Sequence, residues 1–205
     1  MTEPDRRPIN LARLYPQQLY PGSMREALDL LDRSAAWLRE RGIEGQWPSS
    51  FTDPSPTDVP RDRPEELRRY SAAGQLWVFR DAGCGDVAVA TVVVTHWPEM
   101  DFAHYWPCGH SGLFDARYLC RMTVAREVRG QGVGAAVVGF AEWLAACAGV
   151  GFLRLDCSKT NERLHAHYRR LGFEHVGTAD LPHRLSGALF EKPVGACSEL
   201  AGRMW

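Results

Sequence analysis

The chain has 205 residues, enough for one domain with a sizeable core and short for two ordinary ones. With 45% hydrophobic and 24% charged residues, its composition is that of a folded globular chain and excludes wholesale disorder. A formal charge of -1 gives no general attraction to nucleic acid, so no nucleic-acid partner is expected.

The opening MTEPDRRPIN carries acids, arginines and prolines and no apolar stretch of the secretory kind, so the expected location is cytoplasmic. Residues 1–8 read as an N-terminal arm, 9–193 as the folded domain and 194–205 as a C-terminal tail. A first strand is expected within residues 9–14. In SMRE, Ser23 stands three residues before Glu26, the pattern of a capping box, and Leu28, Leu31, Ala35 and Leu38 then recur at helical spacing until Gly42. Residues 47–64 hold five prolines and predict a long loop.

PEELRRYSAAG predicts a second, short helix from Pro64 to Gly74. QLWVFR and VAVATVVVT, separated by the turn residues DAGCGD, predict two strands of a hairpin. WPEMDFAHYWPCGHSG is a loop crowded with aromatics and histidines, and RYLCRMTV predicts a strand ending at Val124. The glycine-rich stretch that follows opens a helix reaching Ala148, in which Gln131 and Glu142 are the polar residues.

Residues 132–153 contain one charge, Glu142, and are long enough to span a bilayer. That charge lies at the centre, where it would cost about 2.5–3.5 kcal/mol, and most of its neighbours are Gly and Ala. A buried helix, a turn and a strand are therefore expected, and no membrane partner. GFLRLDC is that strand, NERLHAHYRRLG a helix with Leu164, Tyr168 and Leu171 on one face, and FEHVGT and GALFEKP two closing strands. The order predicts an α/β (α+β) fold, with a mixed sheet of six to seven strands and helices on both faces. Six cysteines, at 84, 108, 120, 147, 157 and 197, include no C-x-x-C pair and are expected as reduced thiols, most of them small core residues.

REVRGQGVGAA sets glycines at 130, 132 and 134 before a helix. A helix N-terminus presents unpaired N–H groups and a partial positive charge, so an unobstructed one binds phosphate. A P-loop needs Lys-Ser or Lys-Thr after its last glycine, and Ala135-Ala136 stand there instead. A dinucleotide fingerprint fits Gly130-x-Gly132-x-x-Ala135, with Asp156 ending the next strand, but its glycines follow the strand at once. Here residues 125–129, with Arg126, Glu127 and Arg129 charged, intervene. The third reading is a coenzyme A pyrophosphate site.

Arg129-Gly130-Gln131-Gly132-Val133-Gly134 resembles the Q/R-x-x-G-x-G/A signature of the GNAT superfamily of acetyl-CoA-dependent N-acetyltransferases, and NERLHAHYRRLGF resembles that superfamily's second motif. The resemblance covers residues 9–193. It implies a single domain whose sheet is mostly antiparallel with one splayed parallel pair, acetyl-CoA as cosubstrate, no metal, and a homodimer as a common assembly. It implies that Met122, Thr123 and Val124 offer backbone groups to the acetyl and pantetheine portions. Arg129, Gly130, Gln131, Gly132, Val133, Gly134 and Ala135 then hold the pyrophosphate. Asn161 contacts the pantetheine arm or an ordered water, and Tyr168 protonates the departing sulfur.

An alkylamine has a pKa of about 10, so about 0.1% is neutral at pH 7 and a base must supply the difference. RYLCRMTV contains no acid, where some members of the superfamily carry a Glu. The candidates are His96, Glu99, Asp101 and His104 in the preceding loop, or Asp156, which shares a strand face with Arg154 and can equally form an ion pair, with Arg121 for example. His96, His104, Cys108 and His110 lack a structural zinc spacing. Trp97, Tyr105 and Trp106 either line an acceptor pocket or pack under the loop. The expected acceptor is a small-molecule primary amine, attacking the thioester directly, with a protein lysine or N-terminus, or a noncatalytic acyl-CoA-binding module, as alternatives.

Overall fold

A computed structural model of the chain describes residues 6–43, 47–53, 63–182 and 184–197. The side chain of Asn10 accepts from Ala12 N and closes a 3-10 turn at Leu11–Arg13. The chain extends only after that turn, and β1 spans Leu14–Gln18, later than the strand expected at 9–14. Helix α1, Arg25–Glu40, buries Ala27, Leu30, Leu31 and Ala35 along one face. Each buried leucine contributes about 1.5–3 kcal/mol.

The expected capping box does not form. Ser23 Oγ accepts from Tyr20 N and donates to Tyr20 O, both at 3.0 Å, so it closes a turn ahead of the helix. Glu26 pairs with Arg80, a full charge that outcompetes a backbone N–H for the carboxylate. Helix α2 spans Arg63–Ala72, and Gly74 at φ +70° ends it. Strands β2, Leu76–Asp81, and β3, Val87–Thr95, form the antiparallel hairpin, and every β3 residue except Val87 is buried.

The loop after β3 is partly helical, with a 3-10 turn at Met100–Tyr105 and a short helix α3 at Gly109–Gly112. Then come β4, Ala116–Val124, and α4, Val133–Cys147. Strand β5, Phe152–Ser158, and helix α5, Glu162–Arg170, are followed by β6, Glu174–Thr178, and β7, Ser186–Pro193. The strands make one seven-stranded sheet in the order β1-β2-β3-β4-β5-β7-β6. The β4–β5 pair is parallel, and β1–β2, β2–β3, β5–β7 and β6–β7 are antiparallel.

Two compact units divide the chain, one of residues 1–93 with 121–137, the other of residues 94–120 with 138–205. The first has a core that includes Leu19, Leu31, Phe51, Leu67 and Leu76. The second is built on Trp106, Leu113, Ala116, Tyr118 and Leu189. Arg154 of β5, 2% exposed, lies among these apolar residues with its charge met on every side. Its Nε donates to Glu191 at 2.6 Å, and its Nη1 donates to Gly112 O at 2.9 Å and to the Tyr118 hydroxyl at 3.0 Å. The guanidinium also stacks over Trp106, 5.3 Å from the ring centre.

The expectation of reduced thiols fails for one pair: Cys147 and Cys197 form a disulfide with Cα atoms 5.3 Å apart. Cys147 ends α4, and the chain beyond β7 brings Cys197 to it across 50 positions, a pairing that no local cysteine motif encodes. Residues 198–205 of the expected tail and 54–62 of the proline-rich loop lie outside the described residues. Among the described residues no helix is long and apolar enough to cross a membrane.

Candidate functional site

The glycine loop follows β4. A 3-10 turn at Arg126–Val128 leads into extended Arg129, and Gly130 and Gly132 then adopt φ +74° and +88°. A Cβ at Gly130 would meet nothing within 4 Å, so backbone conformation, not crowding, calls for glycine there. Arg129 N donates to Arg126 O at 3.3 Å, and the next backbone donation is from Ala136 N to Gly132 O at 3.0 Å. Between them, the N–H groups of residues 130–135 donate to no described carbonyl. This is a row of free donors at the positive end of α4, the chemistry that a pyrophosphate requires.

Gln131, expected among the cofactor contacts, turns its side chain to the N-terminal arm. Its Nε2 donates to Arg7 O at 2.8 Å and its Oε1 accepts from Ile9 N at 3.1 Å. Arg7 N also donates to Glu127 O at 3.0 Å, so the arm braces both sides of the turn.

The strand ahead of the loop has an interruption at Arg121, whose φ of +50° is the left-handed region that side chains rarely occupy. Its guanidinium forks onto both oxygens of Glu66 on α2, at 3.2 and 3.3 Å. Past it, Met122 and Val124 are half-buried, the Thr123 hydroxyl shares a hydrogen bond with Ser34 of α1, and Ala125 N donates to Val89 O at 2.7 Å. On the other side of Arg121, parallel pairing of β4 with β5 registers Ala116 with Phe152 through Leu119 with Leu155. Both strands run on beyond that register, β4 to Val124 and β5 to Ser158.

In the second unit, Asn161 is the N-cap of α5, its side-chain oxygen accepting from Leu164 N at 3.1 Å. That leaves its amide nitrogen for a ligand. Tyr168, two turns on, is 8% exposed and packs edge-on against Phe173, and its hydroxyl has no hydrogen-bond partner among the described residues. Burial pushes its pKa above the ordinary tyrosine value, with Cys157 and Asp156 adding to the shift. Burial also pushes the Cys157 thiol up to about 12, Asp156 contributing. Both groups are therefore neutral at physiological pH. Sequence reasoning missed Cys157 and also His165, a buried residue whose Nε2 lies 2.7 Å from Ser158 O and ties α5 to the end of β5. The i,i+3 spacing of His165 and Tyr168 on an amphipathic helix was the available signal.

The base candidates separate. Glu99 holds Arg184 at 2.6 Å with its side chain 8% exposed, which fixes it as a paired carboxylate. His104 is exposed and lies against Tyr105, and His96 is exposed. The Asp101 side chain lies outside the described ones. Asp156 is half-buried, and its field reaches both Tyr168 and Cys157.

The aromatics take the packing alternative. Trp106 is buried against Tyr118, and Trp97 and Tyr105 pack on the same cluster. His110 packs its ring against Trp97 and Phe114. The expected cofactor residues 122–135 lie in the first unit, whereas Asp156, Asn161, Tyr168 and the loop candidates lie in the second.

A model of the acetyltransferase (GNAT) family matches residues 43–173. The uncharacterized N-acetyltransferase YesJ of Bacillus subtilis (strain 168) is 30% identical over 172 residues, which cover 82% of this chain and 83% of that protein. Among solved structures, a GNAT-family acetyltransferase of Listeria monocytogenes 4b F2365 superposes with a TM-score of 0.67 at 23% identity, covering 88% of this chain and 95% of its own. A GNAT superfamily phosphinothricin acetyltransferase of Sinorhizobium meliloti, solved with AcCoA, has a TM-score of 0.58 at 14% identity and covers 89% of each chain.

Proposed function

The chain belongs to the acetyltransferase (GNAT) family, and from that premise we propose that it moves the acetyl group of acetyl-CoA to a primary amine of a small molecule by direct attack on the thioester. The observation that carries this reading is the run of free backbone N–H groups at residues 130–135 opening α4. We take residues 9–193 as the acetyltransferase domain, with an arm before it and a tail after it.

When bound, acetyl-CoA supplies the thioester carbon that the amine attacks and the thiolate that leaves. Arg129, Gly130, Gln131, Gly132, Val133, Gly134 and Ala135 form the pyrophosphate cradle, with Gln131 bracing it rather than reaching the ligand. The backbone of Met122, Thr123 and Val124 orients the acetyl and pantetheine portions, and preorganised N–H donors of this kind contribute about 3–4 kcal/mol. Asn161 offers its amide nitrogen to the pantetheine arm. Tyr168 holds the proton that the sulfur takes. Its raised pKa keeps it protonated through the neutral range, and its hydroxyl is not committed to another described group.

We take Asp156 as the base, because it is the candidate whose field reaches Tyr168. The ammonium gives one proton to Asp156, the neutral amine attacks and the C–N bond forms, the C–S bond breaks as the sulfur takes the proton of Tyr168, and the second proton that nitrogen loses in becoming an amide returns to Tyr168 through water. A small acceptor is supported by the loop before β4, whose aromatics pack on one another and on the Trp106 cluster and hold the loop in place.

The test is coenzyme A release from acetyl-CoA across a panel of amines, metabolites and amine-bearing antibiotics beside lysine peptides. Turnover with the small amines is expected. Cofactor binding without turnover on any amine would leave a noncatalytic module, and turnover confined to peptides would move the acceptor to protein. Asp156→Asn should lower kcat at pH 7 and recover toward pH 9, where the amine loses its own proton.

A further inference from the structure

Three arginines of the first unit gather near the glycine loop. Arg41, just past the end of α1, sets its guanidinium carbon 4.5 Å from the centre of the Trp37 ring, and Arg126 sets its own 4.8 Å from the same ring. Arg129 begins the cradle. The pKa of Arg126 is lowered by burial first and then by the charges of Arg129 and Arg41, which outweigh the opposing fields of Glu40 and Glu127. Glu127 is already engaged by Arg33 at 3.2 Å. Among the described residues no carboxylate lies within ion-pair distance of Arg41, Arg126 or Arg129, and Trp37 Nε1, shielded from solvent, meets no acceptor.

Like charges gathered without a counter-ion repel one another, so the cluster costs stability unless an anion completes it. The geometry also indicates what kind of anion. A guanidinium held over an indole ring, with no carboxylate to take its N–H groups, can donate them in a fixed fork that matches phosphate oxygens. A pyrophosphate diester carries one negative charge per phosphorus and is served by the neutral N–H groups of residues 130–135. A phosphomonoester carries close to two and calls for cationic donors. Coenzyme A contains both groups, the monoester on the ribose beside the pyrophosphate.

Resting on the cofactor reading above, we propose that Arg41 and Arg126, held by Trp37, form the subsite for the 3′-phosphate of coenzyme A and make the chain selective for the phosphorylated cofactor. Arg129 belongs to the cradle and supplies shared positive potential.

Titration calorimetry of the full chain with coenzyme A and with 3′-dephospho-coenzyme A tests this without an acceptor. The wild-type chain should bind coenzyme A at least about 10-fold more tightly, the scale of one charge-assisted hydrogen bond. The double substitution Arg41→Gln with Arg126→Gln should bring that ratio to near one by weakening coenzyme A alone, and unchanged affinity for the dephospho form reports an intact fold. Arg41→Gln alone, at an exposed position beyond the helix, should reduce the ratio about 3-fold and carries the test if the double variant unfolds. Equal affinities in the wild-type chain, or a ratio that survives both substitutions, overturn the subsite and leave the cradle standing. Binding of neither nucleotide overturns the cofactor reading and the subsite with it.

Discussion

Replacing Arg154 by Met keeps a side chain of similar length and removes the charge from the core of the second unit. The native guanidinium satisfies the Glu191 carboxylate at 2.6 Å, Gly112 O at 2.9 Å and the Tyr118 hydroxyl at 3.0 Å. A charge-assisted hydrogen bond is worth about 1.5–3 kcal/mol, and removing one partner of a buried pair costs about 3–5 kcal/mol. These figures describe overlapping losses and are not summed. Met restores the apolar contact with Trp106, but Gly112 O and the 20%-exposed Glu191 side chain are left without their donor. The expected destabilisation is about 3–5 kcal/mol, or a fall in Tm of about 6–20 °C for a chain of this size. Thermal and urea unfolding read it directly. In a double-mutant cycle with Glu191→Gln, the second change should cost little once Arg154 is gone. A loss below about 1 kcal/mol for Arg154→Met would refute the account, because the network would then be dispensable to the unit it joins.

Tyr168→Phe should leave coenzyme A affinity within 2-fold and lower kcat by about 10²–10⁴-fold; unchanged turnover removes Tyr168 as the acid. Because the Tyr168 pKa is raised, the proton is retained to higher pH than in a free tyrosine, so the alkaline fall in kcat attributable to it should lie above pH 10 or so. A Tyr168-dependent fall below pH 9 contradicts that assignment. Gly132→Ala forces a side chain into φ +88° and a Cβ to 3.0 Å from Leu11 Cδ1, so it should cost about 1–2 kcal/mol in stability and weaken coenzyme A binding, both read by calorimetry. Cys197→Ser opens a cross-link spanning 50 positions and should lower stability by about 2–4 kcal/mol, with reductant producing the same shift in the wild-type chain and none in the variant.

Elements whose residues carry their own instructions were legible in the sequence. The apolar run at 87–95 predicted β3 to the residue, and the glycines at 130 and 132 marked the loop that turns into α4, where the structure gives both a positive φ. Asn161 and Gly172 marked the limits of α5 because one caps with its side chain and the other adopts φ +88°. What sequence could not show is competition among distant groups. Glu26 suits a capping box until Arg80, 54 positions away, is brought to it. Glu99 suits a base until Arg184 arrives across 85 positions. Arg154 reads only as sharing a strand face with Asp156, and the convergence of Gly112, Tyr118 and Glu191 explains how a full charge stays inside. The trio of Trp37, Arg41 and Arg126 is invisible for the same reason, since α1 and the turn after β4 are far apart in the chain.

The brace between Gln131 and the backbone of Arg7 and Ile9 makes this stretch of the arm part of the glycine loop's stiffness. A loop that is stiff before its ligand arrives loses less entropy on binding, so on the proposed cofactor reading the arm and nucleotide affinity are thermodynamically linked. A fusion placed against Arg6, or proteolytic trimming of the same stretch, thus acts as a remote adjustment of nucleotide affinity. Conversely, saturation with nucleotide should shield that stretch from proteases.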